Sequence, residues 1–175
     1  MADWLHRQRM ILGESATELL KTKAVLIFGI GGVGGYALEA IVRAGIGRVI
    51  LVDCDTVSET NINRQIIADT LSIGKLKTEV GAKRCKAINP DIEIIRYDVF
   101  ADEENIPKII EQTHPDYIID AIDTVKSKLT IIKTAKEQGI PVISSMGTGS
   151  KLDPTRFALL IFQKLIHALL QRLCE

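Results

Sequence analysis

The run Gly29-Ile30-Gly31-Gly32-Val33-Gly34 constrains this 175-residue chain more than any other feature. It follows the apolar stretch 24–28 and opens the segment 34–44, in which Ala37, Leu38, Ile41 and Val42 recur on one helical face. A buried strand that enters a helix through glycines makes a tight turn and lets backbone N–H groups approach an anion, with the helix N-terminus behind them. The glycine spacing alone is a weak signal, which a plain turn also satisfies. In this strand-and-helix setting, Gly29, Gly31, Gly32 and Gly34 are expected to cradle the phosphates of a nucleotide.

The rest of the pattern fits one α/β domain. Short apolar runs at 24–28, 49–52, 92–97, 117–119 and 142–144 read as strands buried on both faces. Between and before them, helices are predicted over 14–21, 34–44, 78–88, 106–112 and 127–138, the third stopped by Asn89-Pro90 and the last closed by Gly139. Strands alternating with helices imply right-handed crossovers and a doubly wound, mostly parallel sheet with helices on both faces.

Several polar residues fall at strand ends, where such sheets bind ligands. Asp53 ends the second strand about 20 residues past the glycines, the place of an acid that takes ribose hydroxyls. Asp55 follows two residues on and points to the same side of an extended segment, unless it merely solvates a turn. A hydride-transfer enzyme has no use for cations converging on the distal phosphates. Transfer of AMP to a carboxylate does, because charge builds on the departing pyrophosphate. Arg64 supplies a bidentate fork and Lys77, thirteen residues on, a point charge, with Lys75 a solvated neighbour. Asp123, in Asp120-Ala121-Ile122-Asp123, is placed to hold Mg²⁺ bridging ATP phosphates, since that ion takes few carboxylates and keeps phosphate oxygens and water. Asp120 itself reads equally as a loop cap.

The glycine loop, Asp53-x-Asp55, Asn61-x-x-Arg64-Gln65, Lys77, Asn89-Pro90 and Asp120-x-x-Asp123 together resemble the ThiF/MoeB/HesA adenylating superfamily, bacterial relatives of ubiquitin-activating enzymes. The resemblance spans roughly residues 5–157, and residues 1–157 are taken as one Rossmann-like nucleotide-binding domain. It implies that Asp53, Asn61, Arg64, Lys77 and Asp123 bind ATP and Mg²⁺. It also implies a homodimer, because an arginine at the place of Arg7, set by its spacing to Gly13, reaches the partner subunit's ATP.

Within that superfamily, Asp120-Ala121-Ile122-Asp123-Thr124 with Lys128, and the run from Ser144 to Phe157 ending Lys151-Leu152-Asp153-Pro154-Thr155-Arg156-Phe157, resemble the tRNA threonylcarbamoyladenosine dehydratases. The implied reaction adenylates the carboxylate of threonylcarbamoyladenosine in tRNA, and a nucleophile of the modified base then displaces AMP to close a ring. No enzyme thiol is required, and none stands out: Cys54 lies between two acids, which disfavours thiolate. The alternatives are adenylation of the C-terminal glycine of a ubiquitin-like sulfur carrier and a non-catalytic nucleotide-binding remnant. The first usually comes with a catalytic cysteine and paired CxxC motifs, absent from this sequence.

After Phe157 the resemblance stops. Synonymous codons for residues 160–175, read one base earlier, can spell Asp-Ile-Ser-Lys-Thr-His-Thr-Cys-Pro-Leu-Ala-Lys-Val-Met-Arg, the continuation such proteins show. The expectation is a C-terminally truncated member whose residues 158–175 are a frameshift product. The rival is a genuine amphipathic helix, with Leu159, Phe162, Ile166, Leu169 and Leu173 at helical spacing, able to cap the sheet or lie on a membrane.

Lys+Arg and Asp+Glu number 22 each, so no global charge draws the chain to DNA or to an anionic membrane. Contact with tRNA needs a local patch, for which Lys75, Lys83, Arg84 and Lys86 are candidates and a solvated helix face is the plainer reading. Sulfur or redox partner proteins stay open. Three cysteines without a CxxC fit a reducing cytoplasm, and residues 4–13 are too polar and mixed for a signal peptide.

Overall fold

A computed structural model of the chain describes residues 4–147 together with Asp153, Thr155 and Ala158. The described residues form a five-stranded parallel sheet in the order β3-β2-β1-β4-β5. Its strands are β1 (Ala24–Phe28), β2 (Arg48–Val52), β3 (Glu93–Tyr97), β4 (Tyr117–Asp120) and β5 (Val142–Ser144). β1 lies at the centre, paired through Phe28 to Val52 of β2 and to Asp120 of β4. This is why its five residues are all apolar and all buried: no edge or face of it reaches water.

The pleat sorts β1 into two half-cores. Ala24, Leu26 and Phe28 pack with Ile50, Val52 and Ile118 beneath helices α5 (Asn105–Thr113) and α6 (Val125–Glu137). Val25 and Ile27 face the other way, onto Val49, Leu51 and the helices α3 (Gly34–Arg43) and α4 (Lys77–Ile88), which contribute Leu38, Val42 and Cys85. The order reverses between β1 and β4: the chain winds outward to β2 and β3, then crosses back to β4. That switch point opens a crevice at the carboxyl ends of the strands.

The predicted elements are present, with α2 (Glu14–Lys21), β1 and β5 at the expected bounds and the others displaced by one or two residues. Two elements are additional. Helix α1 (His6–Leu12) has no buried residue, so no apolar face announces it, while the adjoining Leu5 anchors it against Gly45. A single 3-10 turn, Glu59–Asn61, is built by side chain-to-backbone bonds, the Asn61 carboxamide oxygen accepting the Ser58 N–H at 3.0 Å. The predicted tail, residues 158–175, lies outside the described residues apart from Ala158.

At the opposite end of the sheet, Asp116 ties β1 to β4. Its carboxylate takes the Lys23 ammonium at 2.8 Å and the Ala24 N–H at 2.9 Å, and these, the ammonium first, hold its pKa below the usual aspartate range. A carboxyl held low in the folded state stabilises it above the unfolded aspartate pKa of about 3.9, and that contribution is lost as pH falls through the folded value. The urea-unfolding free energies of the wild type and D116N are therefore expected to differ most near neutral pH and to converge as the pH falls below about 4.

Candidate active site

A cleft of about 580 Å³ opens at the switch point. Gly29, Gly31 and Gly32 form one wall, and Asp53, Cys54 and Asp55, just past β2, form the floor. Arg64 and Gln65 enter from the long β2–α4 connection and Lys77 from the start of α4, while Ala121 to Thr124 and Gly147 come from the ends of β4 and β5.

The glycines are required by space as well as by backbone angle. Gly29 has φ +86°, and a Cβ on it would lie 2.8 Å from the Ala121 carbonyl oxygen. A Cβ on Gly34 would stand 1.8 Å from the Gly29 carbonyl oxygen, a distance no atom tolerates. Gly34 is thus buried behind the loop and shapes it without lining the cleft. Gly31 and Gly32 have only ordinary contacts there, so their bare backbone serves the open side.

Asp53 fixes the loop from the side. Its carboxylate accepts the Ile30 N–H at 2.6 Å and the Asp55 N–H at 2.8 Å. Asp55 turns to Lys77, whose ammonium lies 2.7 Å away, and that hydrogen bond is the first cause of the lowered Asp55 pKa. Lys77 is itself buried, at the first position of α4. Arg64 lines the cleft with its guanidinium bonded to the Thr60 carbonyl oxygen at 2.7 Å and the Asn63 carboxamide oxygen at 3.0 Å.

Of the residues expected at the site, Gly29, Gly31, Gly32, Asp53, Asp55, Arg64, Lys77 and Asp123 line this one cleft. Asn61 is buried outside it, where its backbone carbonyl takes the N–H groups of Arg64 and Gln65 and so presents both residues. Arg7, exposed on α1, is not among the lining residues. Gln65 is a cleft residue that the sequence offered only inside a motif. It is buried to 7% exposure beside Gly31, and its carboxamide oxygen has no partner among the described residues. Of the basic residues considered for tRNA, Arg84 is engaged with Glu39 at 2.7 Å and Lys86 with the Pro90 carbonyl at 3.0 Å.

Two groupings bear on a metal. Asp53, Cys54 and Asp55 bring three ligand atoms within 4.8 Å of one another. However, Asp53 is committed to backbone N–H groups and Asp55 to Lys77. Asp123 is exposed at the opposite rim, and its carboxylate has no hydrogen-bond or ion-pair partner among the described residues. One carboxylate without a partner among the described residues, at the rim of this cleft, suits a hard cation that keeps its waters and shares phosphate oxygens.

Cys54 and Cys85 are poor nucleophiles. Burial first, then the charges of Asp55 and Asp53, raises the Cys54 pKa. Burial pushes Cys85 up to about 12. Alkylation of the native chain at pH about 8.5, followed by peptide mass spectrometry, is expected to mark exposed Cys54 slowly and to spare Cys85 until the chain is unfolded.

Comparison with known proteins agrees with this geometry. The family model described as "ThiF family" matches residues 5–170. The tRNA threonylcarbamoyladenosine dehydratase of Bacillus subtilis is 41% identical over 151 residues, covering 86% of this chain and 59% of that protein. Its Escherichia coli counterpart is 37% identical over 157 residues, covering 90% and 58%. The crystal structure of the E. coli protein, TcdA, in complex with ATP superposes with a TM-score of 0.84 at 36% identity, over 89% of this chain and 65% of that one. This chain therefore spans about three fifths of the length of these relatives. The chain belongs to the ThiF family.

Proposed function

We propose that this chain binds ATP in the switch-point cleft and adenylates the carboxylate of threonylcarbamoyladenosine in tRNA, so that the modified base cyclises with net loss of water. The observation that carries the reading is the meeting, in one cleft, of a bare glycine backbone with Arg64, Lys77 and the free carboxylate of Asp123. Similarity to dehydratases from two bacteria, one of them solved with ATP, supports the choice of substrate.

The chemistry balances as follows. A carboxylate oxygen attacks the α-phosphorus, the bond to the β-phosphate bridging oxygen breaks, and pyrophosphate leaves. A nucleophile within the modified base then attacks the acyl carbon, expels AMP and gives up its proton. Backbone N–H groups of the glycine loop, with the α3 N-terminus behind them, hold the phosphates. Arg64 exchanges its carbonyl partners for phosphate oxygens, and Lys77, paired with Asp55, offsets the charge growing on pyrophosphate. Mg²⁺ at Asp123, when bound, neutralises phosphate charge. The acyl group is captured within its own molecule, which fits a cleft whose one thiol is poorly ionised.

A homodimer belongs to the same reading. Helix α1 buries nothing of its own and exposes Met10, Ile11 and Leu12 beside Arg7, a surface suited to a second copy that receives Arg7 at its triphosphate. No helix among the described residues is long and apolar enough to cross a membrane. The free thiols suit a reducing cytoplasm.

ATP–pyrophosphate exchange tests the function. Exchange is expected to rise with tRNA bearing threonylcarbamoyladenosine and not with a ubiquitin-like carrier protein, and NADH is expected not to compete for the cleft. R64A, K77A and D123A are each expected to lower exchange by roughly 100-fold or more. Stimulation by the carrier alone would transfer the reading to sulfur-carrier activation, and ATP binding without any exchange would leave a nucleotide-binding remnant.

A further inference from the structure

Directly beneath the cleft lies a buried charge cluster that touches none of the space a nucleotide would fill. Asp120, the last residue of β4, is fully buried. One carboxylate oxygen takes the Lys128 ammonium at 2.9 Å and the Ser144 hydroxyl, while the other accepts the Ile122 N–H at 3.2 Å. The Lys128 ammonium also reaches the Ser144 oxygen at 3.4 Å, and its side chain is 6% exposed. The cluster thus joins the ends of β4 and β5 to the second turn of α6.

Everything it holds continues into the cleft. The turn Ala121–Thr124 begins one residue after Asp120, and the Thr124 carbonyl accepts the Lys128 N–H at 3.0 Å. Ser145 follows Ser144, donates its N–H to the Asp120 carbonyl at 2.8 Å, and leads to Gly147. Ala121 to Thr124 and Gly147 all line the cleft, whereas Asp120, Lys128 and Ser144 do not. A buried ion pair of this kind is no better for stability than apolar side chains of the same volume, because desolvation offsets the attraction. What it provides is direction: one ammonium fixes two chain segments from different strands relative to each other.

We propose that Lys128 is a positioning residue of the adenylating site, acting through Asp120 and Ser144 to set the Asp123 turn and the Gly147 segment at a fixed separation across the cleft mouth. The inference rests on the adenylation reading for its consequence, though not for its geometry. Lys128 touches no substrate. Its ammonium holds the carboxylate of Asp120 in one orientation, the carboxylate keeps the Ile122 N–H in place, and Asp123 follows one residue later.

The test uses the full chain as wild type, D120N/K128M and K128R. The double variant removes both charges together, so no lone ion is left buried if K128M by itself fails to fold. Amide hydrogen exchange without ligand is expected to quicken in the double variant at residues 121–124 and 145–147, with β1 and β2 protected as in the wild type. In calorimetry, its ATP affinity is expected to demand a Mg²⁺ concentration roughly 10-fold higher or more, while AMP affinity holds. K128R, which keeps a cation, is expected to restore most of the Mg²⁺ response.

Wild-type exchange rates and Mg²⁺ response in the double variant would overturn the proposal. So would protection lost evenly over the whole sheet, which is what a purely stabilising pair gives. If the wild type binds no ATP, the adenylation reading fails, and the local exchange comparison still decides whether Lys128 holds the two segments.

Discussion

The structure depends on a backbone-to-backbone contact between the first and fourth strand ends. Gly29 leaves β1 against the carbonyl of Ala121, and Gly34 starts α3 against the carbonyl of Gly29. The Ala121 N–H in turn donates to the Phe28 carbonyl at 2.8 Å. With no side chains between them, the glycine loop and the Asp123 turn become two lips of one cleft. A methyl group at either glycine would push the lips apart, because the neighbouring atoms are backbone and have no rotamer to yield. The switch point of the sheet supplies the opening, and the glycines let its two lips approach closely.

The charges around that opening are held in pairs. Asp55 is paired with Lys77, Asp53 with two backbone N–H groups, and Arg64 with two oxygen acceptors. Lys77 illustrates why. Buried at the start of α4, its ammonium would otherwise sit in a medium that penalises charge. Asp55 solves this while remaining largely exposed, at 62% of its side chain, and both residues line the cleft. Asp123 lacks any such partner among the described residues, and it is the group for which a cation would be the natural complement.

The long connection between β2 and α4 is as constructed as the strands. Val57 N–H reaches the Lys75 carbonyl and Gly74 N–H the Val57 carbonyl, both at 2.8 Å, closing the connection at its base. Inside it, Asn61 makes the 3-10 turn from which Arg64 and Gln65 project. Asn61 serves the site here as scaffold, which explains how a motif residue can matter without lining the cleft. The ion pairs of Arg84 with Glu39, and the bond of Lys86 to Pro90, likewise show cations spent on holding the α4 surface.

The sequence alone determined the architecture and most of the residues that meet in the cleft. Five apolar runs separated by helical spacing leave a parallel sheet as the arrangement that hides them, and the glycine run with Asp53, Arg64, Lys77 and Asp123 marks the carboxyl edge as the site. These signals are legible because burial and backbone freedom act on local composition. What only the tertiary structure decided is how those residues are engaged: that Asp55 pairs with Lys77 across 22 positions, that Gly34 packs against Gly29 without lining the cleft, that Gln65 enters the cleft, and that Lys128 reaches Asp120 and Ser144 under its floor. Helix α1 was invisible for a related reason, since it buries nothing within the chain. Such pairings depend on distances between segments remote in sequence, which the crossovers fix and no local pattern encodes.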